Sequence, residues 1–468
     1  MFKSIFYYGT LILLFFMGNL YATNYYISTT SSGTGKGNSW INKKVYTSFK
    51  WSRLAGGDSV YFDGGTDSLV YASISFSGLA PSSTVVITKG KDNGHNGKVV
   101  IQNTTIAGIH TIGISKCKNI KLTELTIKAL YSGDQGKSIT AAVRADGSTN
   151  ITVDNCNIIS NGNGSGVYLH TDSICTISSN RIEVLTNTKT SECDVIHMAG
   201  YGGGHTITGN TLIQGGLLGH PYFHKDLLQF GAYGGRVGTK RLTTTIANNF
   251  MMALDTNIVM VAGINSDNTQ PLRWIIYNNI IVERAHGNTG IALYDNYDEL
   301  TYNGKSSAYI LNNTFINNNG YNAKIGNTDT LVMKNNIFYM TDSNNENIWY
   351  SDRDGFTPIV KDIDYNQYYN GNTGEAVIDT GDVSGAENSN LTKSEWQRKH
   401  NYNGTHCDIH GSSSQPSFVN IWGSKITDYR LTGGTGHGVN LSKYFTTDIT
   451  GTIRPEATEW DRGAIQNK

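Results

Sequence analysis

One phrase recurs along the middle of the chain and constrains the fold more than any other feature. It is an apolar-alternating strand, then an asparagine, then two or three apolar residues. It stands at Ile151–Ile159, Thr176–Val184, Thr206–Gln214, Thr245–Ala253, Trp274–Val282, Tyr309–Asn317 and Leu331–Met340, with fainter copies at Ile120–Lys128 and Ile363–Tyr369. The anchor asparagines are Asn155, Asn180, Asn210, Asn249, Asn279, Asn313 and Asn336, at successive spacings of 25, 30, 39, 30, 34 and 23 residues. Short period-2 strands repeated at such intervals, with turn residues between them, are the mark of a parallel β-helix. The frame of leucine-rich repeats is missing, and each repeat is too short for the four strands of a propeller blade. Asparagine suits the anchor because it tolerates a left-handed turn and can hydrogen-bond from coil to coil. The fold class expected is therefore all-β, a right-handed parallel β-helix with a cap at each end.

Composition agrees. The chain has 53 Gly but only 6 Pro and 16% charged residues, a mixture for short strands and many turns. Lys+Arg and Asp+Glu are equal at 37 each, so no overall field draws nucleic acid or an acidic membrane. Residues 1–22 read as a signal peptide: Lys3 precedes an apolar run, Leu11–Met17, shorter than the ~20 residues a spanning helix needs. The mature protein is then expected in the periplasm, at the cell surface or outside the cell, with no stable membrane insertion. The five cysteines sit at uneven spacing and read mainly as buried thiols, with one disulfide left open by export. The organisation expected is an N-terminal cap and first coils over 23–115, coils over 116–370, and a C-terminal cap over 371–468.

Both ends carry a resemblance. Tyr25–Ser28, Trp40 and Gly56–Gly65 (GGDSVYFDGG) resemble the opening of secreted bacterial β-helix proteins of the pectate-lyase-like superfold. Asp448–Pro455 (DITGTIRP) with Asp461–Ala464 (DRGA) is similar to their C-terminal cap. The resemblance implies a carbohydrate-active fold but not one activity, since its members include lyases, hydrolases, epimerases and binders.

A second repeat marks another face. In Val143–Ala145, Val167–Leu169, Ile196–Met198, Leu228–Phe230, Ile258–Met260 and Ile291–Leu293, the flanking residues point inward and the middle one outward. The outward ladder reads Arg144, Tyr168, His197, Gln229, Val259, Ala292, polar or aromatic in its first four rungs. Asp194 and Asp226 precede two of these triplets by two places, where neighbouring coils have Ser165, Thr256 and Thr289. Tyr201 and Tyr233 follow three places later, each before Gly-Gly. On adjacent coils the aspartates would stack about 4.8 Å apart. That leaves a shared proton for acid/base work, a Ca²⁺ site, or a saturated turn. The longest repeat adds His224, Lys225 and Arg236. His224-Lys225-Asp226-Leu227-Leu228-Gln229 resembles an H-x-D-x-x-Q run of secreted β-helix carbohydrate-active proteins. Gly436-His437-Gly438 mimics a polygalacturonase motif but lies in the C-terminal region, far from Asp226.

Three functions compete. A lyase acting on an acidic polysaccharide by β-elimination would use Arg144, Arg236 or Ca²⁺ to neutralise a uronate carboxylate. It would use His197, His224 or Lys225 as base and Tyr168, Tyr201 or Tyr233 as acid, with Gln229 binding substrate. A glycoside hydrolase would use Asp194 and Asp226 as its carboxylate pair. A non-catalytic binder or surface protein would stack sugars on some of the 27 Tyr and 7 Trp. The partner expected in each case is a polysaccharide, and the chain is expected to be a monomer.

Overall fold

The computed structural model describes residues 22–104, 109–130, 140–161, 164–186, 193–216, 226–234, 236–237, 240–254, 261–263, 273–284, 289–293, 306–317, 321–326, 328–341, 347–351, 360–371, 378–379, 390–399, 401–402, 405–433, 437–456 and 459–467. The chain winds through three long sheets, with 13, 11 and 12 strands among the described residues. Each turn of the solenoid visits sheet I, then sheet II, then sheet III. Thus Thr149–Asp154 lies in sheet I, Asn157–Ser160 in sheet II and Gly164–His170 in sheet III. Strand pairing is parallel throughout the coils, each residue stacking on its counterpart one coil later. This is the right-handed parallel β-helix, the hand that parallel crossovers take almost without exception. The inward residues form one continuous core that runs from Tyr25 and Ile27 to Tyr368 and Trp396.

A buried asparagine ladder holds the corner between sheets I and II. Asn180, Asn210, Asn249, Asn279, Asn313, Asn336 and Asn366 are each at most 2% exposed. Each backbone N–H donates to the side-chain oxygen of the next asparagine at 2.9–3.0 Å, from Asn180→Asn210 through Asn336→Asn366. Each amide group also donates to a strand carbonyl of the coil before, as Asn279 does to Ile246 at 2.8 Å. The residue before each anchor takes positive φ: Ser179, Gly209, Asn248, Asn278, Asn312, Asn335 and Tyr365. In an Asn-Asn pair the first residue therefore makes the left-handed turn and the second turns inward.

One anchor is corrected. Asn155 is itself the left-handed residue (φ 49°), and Cys156 takes the inward place, donating its N–H to Asn180 Oδ1 at 2.8 Å. The single asparagine of Asp154-Asn155-Cys156 looked like an anchor because either place in the turn suits Asn. At the other end the ladder finishes on Asp408, whose Oδ1 accepts the N–H of Asn366 at 3.1 Å. Burial pushes this carboxyl up to about 6.

Within the segment assigned to the C-terminal cap, the helix Lys393–Lys399 closes the last coil by burying Trp396 beside Tyr368. From Ser412 onward the chain instead runs back along the outside of the solenoid. Tyr429, Ala464 and Ile465 pack on Met252, Val282, Ile316 and Tyr339 of sheet II. Leu441, Phe445 and Trp460 pack on Leu311 and Val332 of sheet I. Arg454, 1% exposed, ties the two by donating to Asn278 Oδ1, Gly463 O and Gln466 Oε1 at 3.0–3.1 Å. An outer face that would otherwise be apolar is covered from within. All five cysteines are free and buried.

At the inner end of the sheet II strands, Asn103, Ser160 and Asn317 each donate to a backbone carbonyl across the next corner, at 2.6, 2.7 and 2.8 Å. Gln214 and Glu283 occupy the same row, with Ala253 between them. Glu283 is 1% exposed, and its carboxylate oxygens meet no hydrogen-bond partner among the described residues. Burial pushes its carboxyl well above the ordinary 4.5. The folded state therefore holds a proton that the unfolded chain releases above about 4.5. The stability this contributes is complete below 4.5 and is lost as pH rises through the folded value. Glu283→Gln is expected to match the wild type in acid and to melt a few degrees higher near neutrality, as scanning calorimetry across pH would show. Melting temperatures that run parallel at every pH would overturn this.

Candidate functional site

The site lies on the outer face of sheet III, where the strands Thr140–Asp146, Gly164–His170, Ile196–Tyr201 and Leu228–Gly234 stack in that order. Val143, Val167, Ile196 and Leu228 enter the core at 0% exposure, which forces the residue after each of them outward. Pairing puts Arg144 opposite Tyr168, Tyr168 opposite His197, and His197 opposite Gln229. The next rungs are Ala262 and Ala292. Val259 is thus replaced by Ala262, because the paired strand is Val261–Gly263. The predicted strand Ile258–Met260 lies outside the described residues, as does Thr256. Four consecutive apolar residues, Ile258 to Val261, hide the frame from any period-2 reading.

Asp194 and Asp226 are both 0% exposed and occupy equivalent places on adjacent coils. They are linked through the backbone. Asp194 Oδ1 accepts the N–H of Asp226 at 2.8 Å, while Asp194 Oδ2 lies 2.7 Å from Nδ1 of His197. Both oxygens of Asp194 are therefore engaged, one in tying coils together and one in holding an imidazole. A carboxylate facing Nδ1 draws the ring proton there and leaves the Nε2 lone pair available as a base. No group of three or more His, Cys, Asp or Glu able to hold a metal ion occurs among the described residues.

Tyr168 meets His197 edge-on, with ring centroids 4.6 Å apart. The Arg144 guanidinium lies 4.7 Å from the Tyr168 ring centroid and is forked by Asp146 at 2.8 and 2.9 Å. Packed between their neighbouring rungs, the outward Tyr168 and His197 are 6% and 5% exposed. The structure brings Arg144, Tyr168, His197, Asp194, Asp226 and Gln229 onto four consecutive coils.

The sequence reading missed Asp146 and His170, which form the next outward rung and pair at 3.3 Å. Extending each triplet by one further outward position would have found them. Beneath them Asp172, 2% exposed, accepts the backbone N–H groups of Ser148 and His170. Burial pushes its carboxyl up to about 7. At the near edge His110 accepts the N–H of Ala141 at 3.3 Å. Burial, with help from the Arg144 charge, depresses this imidazole to about 4, so it stays neutral at ordinary pH.

Other expected residues fare differently. His224 and Lys225 lie outside the described residues. Tyr201 and Tyr233 are not equivalent, because a bulge after Ala199 sets Tyr201 opposite Gly234. The matching Tyr-Gly-Gly strings conceal one extra residue in the second strand. Arg236 sits in a two-residue antiparallel ribbon, pairing with Arg241.

No family model matches the chain, and no curated protein sequence is similar to it. Among solved structures, pectate lyase Pel9A is similar at 10% identity over 95% of this chain and 96% of its own, with a TM-score of 0.48. A rhamnogalacturonan lyase aligns at 12% identity over 83% of this chain and 95% of its own, TM-score 0.40. XylC, solved with xylose, aligns at 9% identity over 95% and 98%, TM-score 0.43. The chain's own strand order and register identify it as a right-handed parallel β-helix protein, and its similarity to these structures extends to the fold alone.

Proposed function

We propose that this is an exported carbohydrate-active protein that cleaves an acidic, uronate-containing polysaccharide by β-elimination, with His197 as the base. The observation that carries the reading is the Asp194–His197 pair, held at 2.7 Å on the outer face of sheet III one rung from Tyr168 and two from Arg144. Elimination needs three things of this chain. A cation must face the sugar carboxylate, which Arg144 supplies while Asp146 fixes its orientation. A base must take the C5 proton, which is the task of His197 Nε2 while Asp194 positions the ring. As that C–H bond breaks, its electron pair forms the C4–C5 double bond and the C4–O bond breaks. The leaving oxygen then gains a proton, for which Tyr168 is the nearest phenol in register.

The hydrolase reading is weaker because Asp194 already spends its carboxylate on His197 and the Asp226 amide. No helix among the described residues is long and apolar enough to cross a membrane. The deciding experiment is mass spectrometry of products after incubating the mature protein with acidic and neutral polysaccharides, with and without chelator. Oligosaccharides one water lighter than hydrolysis products are expected. Ordinary hydrolysis products would favour the hydrolase, and intact polymer across the panel a non-catalytic binder. Loss of activity with chelator alone would add a cation to the site.

A further inference from the structure

His110 lies two residues before Ile112–Ser115, the strand that precedes the Arg144 strand in sheet III. Counting back two places from the paired Ile112, Val143, Val167, Ile196 and Leu228 puts it in one column with Ala141, Ser165, Asp194 and Asp226. Two members of that column tie their coil to the next in the same way. His110 Nδ1 accepts the N–H of Ala141 at 3.3 Å, as Asp194 Oδ1 accepts that of Asp226 at 2.8 Å. The second function of Asp194 is to hold His197. His110 has a second ring nitrogen in hand: Nε2 makes no hydrogen bond among the described residues and keeps access to solvent, the residue being half-buried. A backbone amide can only donate, so Nδ1 carries the lone pair and the proton sits on Nε2. The ring therefore presents a fixed N–H donor and not a base. It faces the Arg144–Asp146 pair, whose charges both act on it.

The floor beside this donor is bare. Gly113 is the rung next to Arg144, and Ser75 the rung next to Gly113. A Cβ on Gly113 would meet only the Cβ of Ser75, at 3.4 Å, so no side chain fills the outer face there. Arg144 by itself is a poor seat for a carboxylate, because Asp146 already forks its guanidinium and repels a second anion. A neutral donor at the same place adds attraction without adding a like charge. We propose that His110 and Arg144 jointly seat the uronate carboxylate on the Gly113 shelf, His110 donating its Nε2–H to one oxygen. The assignment rests on the uronate reading above and adds to it the residue that selects an acid over its ester. A hydrogen bond to an ionised oxygen is roughly twice as strong as one to a neutral carbonyl, which is the source of that selection.

The test is isothermal titration of the full mature chain carrying His197→Ala, which stops turnover. The probes are trimers of galacturonate, glucuronate and mannuronate, each as free acid and as methyl ester. His110→Asn keeps an acceptor for the Ala141 N–H, since Asn Oδ1 stands where Nδ1 does, but withdraws the donor from the shelf. At least one acid trimer is expected to bind about 10-fold tighter than its ester, a preference that His110→Asn reduces to about 2-fold or less. Gly113→Leu, which stands a side chain on the shelf, is the second variant should His110→Asn lose its fold by circular dichroism, and it should remove the same preference. An acid preference that survives both variants would overturn the role of His110 and leave the uronate reading standing. Equal affinity for acid and ester, or no binding of any trimer, would overturn the uronate reading and the seat with it.

Discussion

Asn279→Ala is expected to lower the unfolding free energy by about 4 kcal/mol. The side chain stands in the middle of the buried ladder. Its oxygen accepts both the backbone N–H and the amide group of Asn249, each at 3.0 Å. Its own amide donates to Ile246 O, Asn313 Oδ1 and Tyr277 O. Truncation leaves two donors and a carbonyl without partners at a corner where water does not reach. Each buried orphan costs about 1–3 kcal/mol, and relaxation keeps the sum below simple addition. Asn155→Ala is the control. There the cost is only that of holding alanine in the left-handed region, about 1 kcal/mol. Denaturant titration of both variants checks the contrast, and equal losses would sink the assignment of Asn155 to the turn and Asn279 to the ladder.

His197→Ala is expected to lower kcat on the cleaved polysaccharide by about 10²–10⁴-fold, the usual worth of a placed general base. Added imidazole should restore part of the rate, because the space left beside Tyr168 and Asp194 suits the missing ring. Asp194→Asn should lower kcat with little change in KM, since the residue positions the base and does not touch the sugar. Asp226→Asn is the discriminating partner. If the two aspartates worked as a hydrolytic carboxylate pair, both variants would lose activity equally and imidazole would rescue neither. Full activity in His197→Ala would remove the base from this site.

The architecture was legible because it is written in local periodicity. Alternation places Val143, Val167, Ile196 and Leu228 inside, and that alone turns Arg144, Tyr168, His197 and Gln229 outward. The Asn-Asn pairs likewise mark the corners. Failures came where local signals are degenerate. Asn155 suits a left-handed turn as well as an anchor. The apolar run at Ile258–Val261 permits two strand frames, and the Tyr-Gly-Gly copies hide a bulge.

By itself, the sequence determined that this chain winds as a parallel β-helix and which residues share its faces, because side-chain direction in a strand depends only on position parity. Tertiary structure alone decided what those residues do to one another. Asp194 spans its own coil and the next, binding His197 and the amide of Asp226. Gln214 and Glu283 fall in a row where Asn103, Ser160 and Asn317 find carbonyls. The segment after Ser412 returns along sheets I and II and packs on both. Each of these joins residues far apart in the chain, through coil stacking and side-chain reach that no local pattern encodes.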